Sequence, residues 1–125
     1  MRMHVAIVAA MAVGMAVGGL AVQGLHAQTK KAYSVTEVEL LDAAAQAAYV
    51  PLVQAAQKAA GGRSLNTGGG KVVSMVGTAP PRVVITEWDS LQKAEAFYNS
   101  AAFKDLEPQR NKAAKIIRRY AVETN

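Results

Sequence analysis

Glu37 and Glu87 are the residues of this chain whose type and surroundings point first to chemistry. Each is a carboxylate inside an extended-looking stretch, AYSVTEVEL and RVVITEW respectively. A carboxylate that continues an apolar strand face must find a cation, reach water or take up a proton. Two of them in one cavity would push each other's pKa values apart, as acid–base work requires. The plainer alternative pairs each with an arginine (Arg82, Arg110 or Arg118) or leaves it at a wet strand end. Tyr33, Tyr49, Trp88, Tyr98 and Tyr120 have apolar bodies and polar tips. That composition suits a small-molecule pocket wall and equally an ordinary core, since Tyr49 and Tyr98 also fit helical stripes.

Other chemistries are excluded by composition. The chain has no cysteine, and its two histidines are His4 and His26, both in the N-terminal segment. If that segment is removed after Ala27, thiolate and Ser-His-Asp catalysis, the usual zinc sites and histidine-ligated haem are all lost. No metal and no cofactor is therefore expected. Gly68-Gly69-Gly70-Lys71 invites a phosphate-loop reading, but Leu65 stands where the first glycine belongs and Val72 replaces the Ser/Thr. It reads as a hairpin tip. Lys112, Lys115, Arg118 and Arg119 form a basic C-terminal patch that reads as a solvated face, with an acidic ligand or an anionic membrane surface as the remaining alternatives. The charge excess is modest and spread out, which argues against nucleic acid as a partner.

The elements that position these residues are organised around Arg82 to Phe103. Val83 to Thr86 are consecutive β-branched residues bounded by Pro80-Pro81 and Asp89-Ser90, which predicts a strand central in its sheet. Alternation puts Val83, Ile85 and Glu87 on one face and Val84, Thr86 and Trp88 on the other. Asp89 or Ser90 caps a helix carrying Leu91, Ala94, Phe97 and Tyr98 on one stripe. Upstream, Ala32–Glu39 alternates as a first strand. Asp42 caps a helix over about Ala43–Ala60, with an apolar face of Ala45, Ala48, Tyr49, Leu52, Val53 and Ala56. Pro51 predicts a kink or a new start near Tyr49-Val50, and Gly61-Gly62 ends the helix. Arg63–Thr67 and Val72–Val76 read as short extended pieces joined by the three glycines. Downstream, Ala101–Lys115 reads as helix broken or kinked at Pro108, and Ile116–Val122 as a last strand with Ile116, Arg118, Tyr120 and Val122 facing one way.

This order gives an α+β, βαββαβ sandwich: an antiparallel sheet with both helices on one face. The other face is apolar too. In so short a chain the available cover is a second copy, which is the physical argument for a homodimer.

The string V-V-I-x-E-W-x-S-L-x-x-A-x-x-F-Y-x-S-x-x-F from Val83 to Phe103, with Arg110 seven residues on, resembles the domain-of-unknown-function family numbered 1330. The opening strand AYSVTEVEL, the helix with AYVPLV and the GGR before the next strand agree, so the resemblance covers about Lys31 to Glu123. It implies a ferredoxin-like domain that pairs into a dimeric α/β barrel. Phe103 stands where the family usually has a tyrosine, so any role of that hydroxyl is absent here.

The expected function is that of an exported homodimer binding a small organic molecule between sheet and helices, lined by Tyr33, Glu37, Tyr49, Trp88 and Tyr98. One alternative is a cofactor-free enzyme of isomerase or oxygenase type, with Glu87 transferring a proton and Arg110 beside it stabilising an anion. Another is a purely structural barrel. Export is read from Met1 to Gln28: Arg2 precedes the run Val5–Val22, and Leu25-His26-Ala27 offers a cleavage site before Gln28. Residues 1–27 are thus a signal peptide, 28–31 a leader and 32–123 the domain, in a periplasmic or secreted protein. The alternative is a retained single membrane anchor, since the run just reaches bilayer length. Only then is a membrane a partner.

Overall fold

The computed structural model describes residues 30–125. The predicted signal segment and its cleavage point at Ala27 and Gln28 lie outside the described residues. Four strands and four helical segments follow one another: β1 (Ala32–Leu40), α1 (Ala43–Ala59), β2 (Gly62–Ser64), β3 (Arg82–Trp88), α2 (Leu91–Tyr98), α3 (Ala101–Lys104), α4 (Glu107–Ala113) and β4 (Ala114–Glu123). The strands form one antiparallel sheet in the order β2-β3-β1-β4, with the helices on one face, a ferredoxin-like fold. Among the described residues no helix is long and apolar enough to cross a membrane.

Local chemistry sets the element ends. The Asp42 carboxylate accepts from the Ala45 amide at 2.8 Å, Ser90 from Lys93 at 3.2 Å and Ser100 from Phe103 at 3.2 Å, so the starts of α1, α2 and α3 each satisfy an orphan donor. No new helix starts near Tyr49-Val50: α1 runs as one element through Pro51. The break in the C-terminal helical region comes before Pro108, at Asp105-Leu106. Pro108 falls in the first turn of α4, where its missing N–H costs nothing.

The expected second extended piece, Val72–Val76, is not a strand. Asn66 adopts a left-handed backbone (φ 57°) and turns the chain off the sheet. The Thr67 hydroxyl then takes over the next ladder positions, donating to the Val83 carbonyl at 2.7 Å and accepting from the Ile85 amide at 3.0 Å. Beyond it the chain stays in a loop with Met75 and Val76 exposed.

Register assigns the two sheet faces. Toward the helices lie Trp88, Thr86 and Val84 of β3, opposite Ala32, Ser34 and Thr36 of β1. Trp88 is fully buried with Ala94, Phe97 and Phe103, and its Nε1 donates to Ser34 Oγ at 2.9 Å. Gly62 pairs with Trp88, and a Cβ on it would stand 2.8 Å from the indole. Gly62→Ala is therefore expected to lower stability by about 1–3 kcal/mol, because the ring is wedged in the core and cannot yield. Urea unfolding checks this; an unchanged midpoint would show that the indole has room to move.

Candidate functional site

Two separate loci emerge on opposite faces of the sheet. On the face away from the helices, Glu87 sits between Arg63 of β2 and Tyr33 of β1. Its carboxylate receives Lys31 Nζ and Arg63 Nη2, each at 2.8 Å, and the Tyr33 hydroxyl at 3.4 Å. Glu37, on the same face, receives the Arg118 guanidinium and, at 3.1 Å, the Tyr120 hydroxyl. Four residues along β1 separate Tyr33 from Glu37, about 13 Å at strand rise, so the two acids do not share one cavity.

Hydrogen bonding from Lys31 above all, then from Arg63, holds Glu87 below the usual carboxylate range; Arg118 and then Tyr120 do the same for Glu37. A depressed folded-state pKa contributes stability at pH values above the unfolded value and loses it as pH falls through the folded value. The urea midpoint is thus expected to stay level from pH 8 to about pH 5 and to fall on further acidification below the ordinary glutamate value of about 4.3. Replacing both acids with glutamine should flatten that acid limb. A midpoint that rises on acidification would contradict the pairing.

Arg110 stands elsewhere. It lies on the helix side, 8% exposed, with Nη1 donating to the Tyr49 hydroxyl and the Phe103 carbonyl, each at 3.3 Å. The expected Glu87–Arg110 pair is therefore not formed: strand alternation sends Glu87 to the face opposite α4. The expected pocket wall is divided in the same way. Tyr33 and Glu37 belong to the open face, whereas Tyr49, Trp88 and Tyr98 belong to the helix face. There Tyr98 meets Ser34 Oγ at 2.8 Å and Trp88 is core.

The helix face holds a cavity of about 80 Å³ between the sheet and α1, with Gln46, Tyr49 and Gln57 on one wall and Thr36, Arg110 and Arg119 on the other. Sequence reasoning missed most of these. The expected stripe on α1 is rotated: Leu52 is exposed, while Gln57 is only 6% exposed. Gln46 Oε1 is a buried acceptor with no hydrogen-bond partner among the described residues. Spacing held a signal, because Gln46, Val50, Val53 and Gln57 keep helical periodicity as regularly as the alanines do.

The sequence groups Arg119 with a solvated patch, but its side chain packs inward and is half-buried. Its Nε donates to Thr36 Oγ1 at 3.0 Å. A register shift between Glu37 and Val38 places Ile116 opposite Val38, on the helix side, rather than with Arg118, Tyr120 and Val122. Among the described residues no group of three or more His, Cys, Asp or Glu side chains is placed to hold a metal ion.

Comparison with known proteins adds the following. The model of the family described as "Domain of unknown function (DUF1330)" matches residues 31–124. No curated protein matches the chain. Among solved structures, the methylated RPA0582 protein is similar at a TM-score of 0.59 and 16% identity, covering 78% of this chain and 83% of that one. RPA0582 itself, a protein of unknown function from Rhodopseudomonas palustris, is similar at a TM-score of 0.55 and 15% identity, covering 82% and 89%. At such identities the likeness establishes the fold and nothing about chemistry.

Proposed function

The chain belongs to the DUF1330 family, and from that membership we propose that it is a homodimer binding a small organic molecule between sheet and helices. The observation that carries the binding half is the cavity under α1. Its polar lining includes an unpartnered buried acceptor, Gln46 Oε1, and buried acceptors without partners are rare unless something occupies the space. At about 80 Å³ it is well below the roughly 300 Å³ or more of a drug-sized ligand site, so the ligand is small.

The dimer half rests on the open face. Val35, Val83 and Ile85 lie at its centre, and Tyr120 and Val122 remain exposed on β4. Glu37 and Glu87 alternate there with Arg118, Arg63 and Lys31, a mixed-sign pattern that can complement itself across a two-fold axis. Export belongs to the same proposal and rests on the apolar run Val5–Val22. Intact-mass measurement of the exported fraction tests it, with loss of residues 1–27 the expected result.

Two observations weigh against the rival readings. A proton-transfer group works best with a pKa near the operating pH, and Glu87 is shifted the other way by Lys31 and Arg63. A purely structural barrel would not need polar side chains around a void. Native mass spectrometry of protein purified from its source, followed by denaturation, tests the proposal. The expected result is a dimer mass with a releasable small molecule; a bare monomer would overturn it.

A further inference from the structure

The geometry points to an anion site: the guanidinium groups of Arg110 and Arg119 hold a small carboxylate in the cavity between the sheet and α1. This rests on the reading of that cavity as a ligand site and names the class of ligand.

The two arginines reach the cavity from different elements, α4 and β4, and converge on one ring. The guanidinium carbon of Arg110 lies 4.1 Å and that of Arg119 4.9 Å from the Phe103 centroid. Neither has a carboxylate within 4 Å among the described residues; the ion pairs there use Lys31, Arg63, Lys93 and Arg118 instead. An aromatic face attracts a cation but cannot neutralise it, so the guanidinium charges of buried Arg110 and half-buried Arg119 have no counter-charge among the described residues. Burial accordingly lowers the pKa of Arg119, and the charge of Arg110 acts in the same direction.

Donors are available as well as charge. Arg110 uses only Nη1, toward Tyr49 and Phe103, and Arg119 uses only Nε, toward Thr36. The other guanidinium nitrogens of both have no hydrogen-bond partner among the described residues, and both side chains line the cavity. A planar carboxylate matches such forks in shape and charge. Gln46 Oε1 lines the same space and lacks a donor, which a hydroxyl next to the carboxylate would supply.

Glycolate is therefore the probe, and glycolamide its neutral counterpart of the same shape. The full chain is titrated with each at constant ionic strength, and binding is followed by the rise in melting temperature. The expected result is saturable stabilisation by glycolate, with glycolamide weaker by about tenfold or more, the usual scale for losing a charge-assisted hydrogen bond. Arg119→Gln should weaken glycolate by a similar factor, and Arg119→Lys by less. Equal response to glycolate and glycolamide overturns the anion assignment but keeps the cavity as a ligand site. No response to either also overturns the assignment, while the native mass measurement still decides the cavity by itself. The wild-type comparison needs no variant, so misfolding of Arg119→Gln cannot mask the outcome.

Discussion

Trp88→Ala is expected to destabilise the domain by about 3–5 kcal/mol, the cost of emptying an aromatic core position. The indole is fully buried, with Phe97 at 5.1 Å and Tyr98 at 6.0 Å between centroids. Gly62 leaves a bare backbone beneath it, so no neighbouring side chain from β2 can fill the void. The substitution also removes the donor from Ser34, which then keeps only its bond to Tyr98. A domain of this size has a net stability of roughly 5–15 kcal/mol, so the loss takes a large share of it. At about 4–8 °C per kcal/mol, the melting temperature should drop by about 12 °C or more. Trp88→Phe should cost far less, because it keeps a ring and loses only the hydrogen bond and part of the volume. Thermal melts of the two variants check the order; equal losses would mean that the Nε1–Ser34 bond, rather than packing, carries the position.

The second large effect concerns the open face. Ile85 lies at its centre, opposite Val35, with Tyr120 on the far side of Val35. In a face-to-face dimer, Ile85→Lys buries an ammonium group without a partner, and symmetry buries it twice. An unpaired buried charge costs about 3–5 kcal/mol, so the dimer dissociation constant should rise by on the order of a hundredfold or more. The isolated fold should survive, since the lysine of a monomer projects into water. Sedimentation velocity reads the result directly. A dimer unaffected by Ile85→Lys would move the interface to another surface.

Much of this architecture was legible in residue types. The β-branched run Val83–Thr86, the caps at Asp42 and Ser90, and the Phe97-Tyr98 stripe each combine a local preference with a pattern, and each forms as expected. Face assignment along β3 was legible too, because strand alternation is strict. Two things were not. The fate of Val72–Val76 depended on Asn66 leaving the sheet and on a threonine hydroxyl replacing a strand, which no hydropathy pattern reports. Ile116 changed face because a register irregularity breaks the period of two.

The candidate site was hidden for a different reason. Glu87 drew notice as a charge on an apolar strand, yet Lys31 lies outside β1 and Arg63 on a three-residue strand, neither an obvious partner from spacing. Arg119 looked like one of several basic residues at the C-terminus. Its side of β4 follows from alternation with Arg118 and Tyr120, but its burial depends on α2 and α3 bringing Tyr98 and Phe103 over it.

A crystal structure of the protein purified from its source tests the central claim most directly. The account predicts non-protein density between the sheet and α1, against Tyr49, Arg110 and Arg119, with a second copy covering Ile85 and Val35. Density lodged instead over Glu37 and Glu87 on a solvent-facing sheet, or a cavity closed by side chains alone, would contradict it.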